Sequence, residues 1–205
     1  MWWIQKSGTM TGNSENVEIH SRNCVFDGFF KIEEVDFRHQ RIDGDMSPVL
    51  RRLHLERGDG AAVVVHNVQR RCFVFVRQFR YSTHEQGPGG LLETIAGVIE
   101  PGQAPEKVAR RELLEEAGYR ARELEFVSSF YLTLGGSSER IFLFFAEVED
   151  ADRVARGGGL DAEGEDIEVV EMTETEVWRA LDAGEIVDAK TLVGLLSYRQ
   201  RRGGS

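Results

Sequence analysis

In the stretch RELLEEAG, Arg111–Gly118, three glutamates crowd into five positions behind an arginine. An α-helix carries residues three and four apart on one face. Glu112 and Glu116 therefore share a face, Glu115 lies beside them, and Arg111, four residues before Glu115, can pair with it. Carboxylates this close repel one another, and a plain surface helix would alternate them with lysine. Several hard oxygen donors within a few ångströms suit Mg²⁺ or Mn²⁺, with substrate phosphates completing the shell. The bare pattern Glu-x-x-Glu-Glu is also what a solvated helix face looks like, so its surroundings decide.

Those surroundings follow from periodicity. AAVVVHNV (61–68) and CFVFVRQF (72–79) predict paired strands about a short turn. STHEQGPGG (82–90) predicts a loop, LLETIAGVI (91–99) a further strand-like run, and EPGQ (100–103) a turn. From Ala104 the period becomes helical, with Val108, Leu113 and Leu114 apolar between charges and Gly118 as the C-terminal stop. LEFVSSFYLT (124–133), RIFLFFAEVE (140–149) and IEVVEM (167–172) predict strands, and helices are expected over about 174–183 and 189–201. The stretch Asp150–Asp166 is acidic and glycine-rich, a long loop of the kind that is functional or disordered. Strands flanked by helices imply a mixed α/β core over 58–205, after an N-terminal extension and β-rich region over 1–57.

The totals exclude several roles. A chain of 205 residues, 41% hydrophobic, supports one large domain or a core domain with an appendage. A formal net charge of −10 argues against nucleic acid or a membrane surface as partner, and leaves acidic sites that recruit divalent metal. No apolar run approaches the ~20 residues that span a bilayer. MWWIQKSGTM is too short and polar for the apolar core of a signal peptide. Cys72 lies in an apolar run far from Cys24, so a buried free thiol and a cytoplasmic setting are expected. His66 and His84 have no partner cluster and read as structural.

The longer stretch GVIEPGQAPEKVARRELLEEAGY, Gly97–Tyr119, resembles the Nudix box, G-x5-E-x7-R-E-U-x-E-E-x-G-U, where U is a bulky apolar residue. Gly97, Arg111, Glu112, Leu113, Glu115, Glu116 and Gly118 hold their positions, and Tyr119 serves as the last U. Gln103 stands where the family has glutamate. The resemblance implies a Nudix α/β/α sandwich with a mixed sheet. It makes Glu112 and Glu116 metal ligands, Glu115 a further one, and Arg111 the residue that orients them. The glutamate that Gln103 replaces is more supporting than coordinating, so the departure bears on rate rather than fold. An amide at 103 keeps the shape of glutamate and is expected to accept a hydrogen bond from Arg111.

Beyond the box, VRQFR (76–80), LLE…AG (91–97), GGSSER (135–140) and GLDAEGEDIEV (159–169) are similar to the ADP-ribose pyrophosphatase group and its GDP-mannose-cleaving relatives. That similarity covers nearly the whole chain after about residue 20. It implies that the Ala96 carbonyl binds metal and that Arg77, Arg80 and Glu139 meet the substrate. An acidic residue of the late loop, Glu163 first and Glu165 second, would bind metal or orient the attacking water. Two or three Mg²⁺ ions, or Mn²⁺, would bridge carboxylates to phosphates, and the N-terminal region would be a dimerisation piece exchanged between two subunits. Plainer readings stand beside these: Arg77 and Arg80 as outward-facing strand residues, Glu139 as a partner of Arg140 or the end of a turn, Glu163 and Glu165 as solvated loop charges.

The reaction expected is Mg²⁺-dependent hydrolysis of ADP-ribose to AMP and ribose 5-phosphate. GDP-mannose or another nucleotide sugar is the alternative; YLTLGG (131–136) lacks the proline common before the Gly-Gly in the ADP-ribose group. A non-catalytic nucleotide sensor is a reading of another class. Gln103 permits it, and the retained Glu112, Glu115, Glu116 and Glu163 oppose it.

Overall fold

The computed structural model describes residues 16–85, 87, 89–160, 162 and 164–203. The chain divides into two compact units, one running to Arg57 and including Gly135–Ser137, the other comprising Gly58–Leu134 and Ser138–Ser205.

In the first unit β1 (Val17–Asp27), β2 (Lys31–His39) and β3 (Leu50–Glu56) form an antiparallel sheet in that order. Cross-strand charge pairs fix its register. Asp36 lies opposite Arg51, whose Nε and Nη2 donate to the two carboxylate oxygens at 2.7 and 2.8 Å. Leu55 of β3 donates its N–H to Gly136 O at 2.7 Å. Alternation that would bury one face of a sheet instead leaves Val17, Ile19, Val25, Phe26 and Leu53 exposed.

The second unit is built on seven strands: β4 (Asp59–Asn67), β5 (Cys72–Phe79), β6 (Gly90–Glu93), β7 (Ile95–Ile99), β8 (Glu125–Tyr131), β9 (Arg140–Val148) and β10 (Ile167–Thr173). Their order is β10-β5-β4-β9-β8, with β6 on β5 and β7 on β4. β4 and β9 run parallel and the other pairs antiparallel, so the sheet is mixed. The run AAVVV of β4 is apolar throughout because both its faces are covered. Ala61, Val63 and Val65 pack with Val108, Ala109, Leu113 and Ala117 of α2 (Pro105–Ala117). Ala62 and Val64 face Val177 and Ala180 of α3 (Glu174–Asp182) and Leu195 and Tyr198 of α4 (Ala189–Gly203). The unit is thus the expected α/β/α sandwich. Among the described residues, no helix is long and apolar enough to cross a membrane.

Two local expectations need correction. LLETIAGVI is not one strand. Thr94 turns its hydroxyl to Val63 O and its N–H to Thr191 Oγ1, at 2.8 Å for the latter, so the run splits into β6 and β7 on different neighbours. The loop over 82–90 begins with one helical turn, α1 (Tyr81–His84). Both histidines are structural as read: His66 is buried between Glu174 Oε1 at 2.9 Å and the Tyr198 hydroxyl at 3.1 Å, and His84 packs on Phe79. Cys72 is buried and free, and Cys24 is exposed.

Candidate active site

The helix α2 lacks a side-chain N-cap but has Pro105 in its first turn, where a missing N–H costs nothing. It ends at Gly118, whose φ of 77° lets its N–H reach back to Leu113 O and Leu114 O. Its buried stripe steps by four, and two of those steps are charged: Val108, Glu112 and Glu116 all face inward. A solvated acidic face would point outward. Glu112 and Glu116 are instead 8% and 3% exposed.

What they face is β7. A methyl group on Gly97 would collide with the Glu112 carboxylate, so glycine at this box position is a requirement of space. One residue earlier, Ala96 N–H donates to Glu116 Oε2 at 3.2 Å. Burial, and after it the charge of Glu112, pushes the Glu116 carboxyl up to about 8. The Ala96 N–H and the positive charge of Arg80 oppose that rise, and Glu165 adds to it. A buried carboxylate pair left in this state is relieved by a cation. The Glu112 and Glu116 oxygens gathered there are a donor set that fits a hard divalent ion.

Glu115 stands apart from this pair. Arg111 holds it at 3.1 Å through Nη1, while Nη2 lies 2.7 Å from Glu112 Oε1. Arg111 thus orients one member of the pair and diverts Glu115, which is half-buried. Among the described residues, no three His, Cys, Asp or Glu side chains gather into a complete metal site.

Gln103 does not reach Arg111, contrary to expectation. Its Nε2 donates to Glu100 Oε2 at 3.0 Å, and its Oε1 accepts the Glu100 N–H at 3.3 Å. The tight turn before α2 keeps the amide with its own loop.

The late acidic loop docks on the end of α2. Gly158 N–H and Gly159 N–H donate to Glu116 O and Glu115 O at 2.8 and 3.1 Å, and Val154 and Ala155 both donate to Gly118 O. The loop thereby satisfies carbonyls the helix leaves open. It also brings Glu165 close enough for its charge to act on Glu116, with Glu165 Oε2 accepting the Leu160 N–H at 3.0 Å. Glu163 lies outside the described residues.

The remaining residues separate. Arg80 is beside the pair: its guanidinium grips Glu93 through two bonds, at 2.8 and 3.2 Å, and its charge reaches Glu116. Arg77 shares the alternation of Phe73 and Phe75, on the face away from α2, and pairs with Glu168 opposite it on β10 at 2.7 Å. Glu139 is half-buried at the entrance to β9. Its neighbour Arg140 donates through Nη2 to Asp59 Oδ2 at 2.7 Å. Sequence reasoning missed Glu93 and Lys190, whose Nζ lies 3.5 Å from Glu93 Oε2. The signals available for Glu93 were its place in the run LLE…AG and its position between VRQFR and the glycine of the box.

The NUDIX domain family model matches residues 56–192. The GDP-mannose pyrophosphatase of Cronobacter sakazakii (strain ATCC BAA-894) is 38% identical over 192 residues, 93% of this chain and 98% of the relative. The GDP-mannose pyrophosphatase of Escherichia coli O1:K1 / APEC is 36% identical over 189 residues, 91% and 96% of the two chains. That of Enterobacter sp. (strain 638) is 34% identical over 192 residues, 93% and 98%. Among solved structures, an ADP compounds hydrolase superposes with a TM-score of 0.70 at 21% identity, over 95% of this chain and 98% of the other, which shows a common fold.

Proposed function

The chain belongs to the NUDIX domain family, and we propose from that premise that it is a divalent-metal-dependent diphosphatase acting on a nucleoside diphosphate sugar. The observation that carries this reading is the buried Glu112/Glu116 pair against Gly97, with the Glu116 carboxyl pushed up to about 8. Hydrolases of this family generally use divalent metal ions. Mg²⁺ or Mn²⁺, as two or three ions, would supply charge neutralisation and a more acidic water molecule.

The chain's own residues supply the rest. Glu112, Glu116 and the Ala96 carbonyl would hold the metal, and Arg111 keeps Glu112 in place. Glu115, tied to Arg111, stands ready as a further ligand. Arg80 and Lys190 meet the negative charge of the diphosphate, with Arg77 and Glu139 contacting outer parts of the substrate. A late-loop carboxylate binds metal or takes the proton of the attacking water; Glu165 is favoured by its effect on Glu116, with Glu163 as its alternative. The water oxygen joins one phosphorus as the bond from that phosphorus to the bridging oxygen breaks. Such a displacement needs positioning and charge neutralisation more than covalent help.

GDP-mannose, cleaved to GMP and mannose 1-phosphate, is the substrate we place first, because the relatives at 34–38% identity over more than 90% of this chain are GDP-mannose pyrophosphatases. ADP-ribose stands second, on the similarity of VRQFR and GGSSER to the ADP-ribose group. We further propose a homodimer that joins through the first unit, whose exposed Val17, Ile19, Phe26 and Leu53 need a cover.

Incubating the protein with GDP-mannose, ADP-ribose and other nucleoside diphosphate sugars, with Mg²⁺, Mn²⁺ or chelator, and reading products by ³¹P NMR tests this directly. Two phosphomonoesters should appear with metal only. Full turnover in chelator would remove the metal assignment. No turnover of any compound with either metal would replace the enzyme by a sensor.

A further inference from the structure

Beside the carboxylate pair, two cations converge on one buried carboxylate. Glu93, at the end of β6, has a side chain 8% exposed. Arg80 donates to it through Nε and Nη2, which fixes the guanidinium plane as a single bond would not. Nη1 of Arg80 makes no hydrogen bond among the described residues, and the side chain is 43% exposed. Lys190 Nζ lies 3.5 Å from Glu93 Oε2 and 2.7 Å from Asp188 Oδ1. The other Asp188 oxygen takes the Thr191 N–H and hydroxyl at 3.0 and 2.7 Å, as the cap of α4. Thr191 Oγ1 in turn accepts the Thr94 N–H at the break between β6 and β7. One chain of bonds thus runs from the start of α4 through the sheet to Arg80.

We infer that Glu93 and Asp188 are positioning residues: Glu93 sets the plane of Arg80, and the two carboxylates together hold the Lys190 ammonium, so that both cations are aimed before substrate arrives. The inference rests on the function proposed above and adds to it how the cations are held. Two cations offset by two carboxylates form a neutral set that stays folded while empty, and preorganised charge needs no rearrangement when the diphosphate enters. A set that only braced the fold would have no reason to leave Arg80 half exposed, with one nitrogen unbonded among the described residues.

Two double-mutant cycles in kcat/KM test this, with GDP-mannose and ADP-ribose as substrates. Glu93→Gln keeps the shape but removes the charge, and kcat/KM should fall about tenfold, the difference between a charged and a neutral hydrogen bond. In an Arg80→Ala background the same change should cost less than about twofold, since residues acting through one another are not additive. Asp188→Asn retains a good helix cap. It should therefore melt within about 2 °C of the parent, lower kcat/KM several-fold, and cost nothing further in a Lys190→Met background. If Glu93→Gln does not fold, the Asp188 cycle decides alone. Factors that multiply as for independent sites, or unchanged kcat/KM in Asp188→Asn, would overturn the inference while leaving the function standing. A parent protein inert toward every nucleoside diphosphate sugar would overturn both.

Discussion

Replacing Glu116 by glutamine separates two demands on one side chain. In the metal-free chain the Glu116 carboxyl is buried and pushed up to about 8, so at neutral pH it is mostly protonated, and an amide of the same shape imitates it. In the unfolded chain it ionises near its ordinary 4.5. A carboxyl whose folded value is raised contributes its full stability below about 4.5 and loses it as pH rises toward 8. Each pH unit in that window costs about 1.4 kcal/mol, which sets a ceiling of about 3 kcal/mol at pH 7. Sharing of the proton with Glu112 and local relaxation lower it. In a domain of this size about 1 kcal/mol moves Tm by roughly 2–4 °C. Glu116→Gln should therefore melt roughly 5 °C above the parent in chelator at pH 7 to 8, with the gap closing toward pH 4.5. Excess Mg²⁺ should invert the order, since the parent gains by mass action what the variant cannot bind, and turnover should drop by orders of magnitude. Thermal melts across that pH range, with chelator and with Mg²⁺, read both effects. A variant melting below the parent in chelator at pH 8 would show that the fold already balances an ionised Glu116. Equal stabilisation of both proteins by Mg²⁺ would remove the pair as a metal site.

Gly97→Ala puts a methyl group into the Glu112 carboxylate, and should cost about 1–3 kcal/mol in a denaturant titration and most of the Mg²⁺-induced rise in Tm. Gln103→Glu replaces the amide that donates to Glu100 by a like charge, so Tm should fall by no more than about 2 °C with kcat little changed; a clear rise would mean that the new carboxylate reaches Arg111 after all. Glu165→Gln should lower kcat with little change in KM, and a larger effect from Glu163→Gln would transfer the late-loop role to that residue. Sedimentation should give a dimer, and Val17→Asp with Phe26→Asp should weaken it; an active monomer of the parent at working concentration would refute the interface.

The fold was legible wherever burial imposes a single period. AAVVV announced a strand covered on both faces, and the change from period two to a helical period at Ala104 marked α2 within one residue. It was less legible where a polar side chain competes with the ladder. Thr94 is an ordinary strand residue by type, and nothing local says that its hydroxyl and N–H will turn to Val63 and Thr191. That distinction depends on Thr191, 97 residues further on, and so lies outside any window of sequence.

The same division runs through the site. Glu112 and Glu116 were legible because their four-residue step puts them together whatever the rest of the chain does. Whether that face looks inward was not legible from the step; it follows from Val108 and Leu113 packing on β4 and from the bare Cα of Gly97. Gln103 misled because spacing in a motif says which residues are near in sequence, whereas a tight turn hands the amide to Glu100 before it can extend to Arg111. Glu93 and Lys190 were invisible for a further reason. Each looks like a surface charge in its own segment, and each gains its meaning from Arg80, Asp188 and Thr191 on other elements. Charge that is local to a helix can be read from its period, but charge offset across three elements is a property of the assembled fold, and it is there that the cations of this site are set.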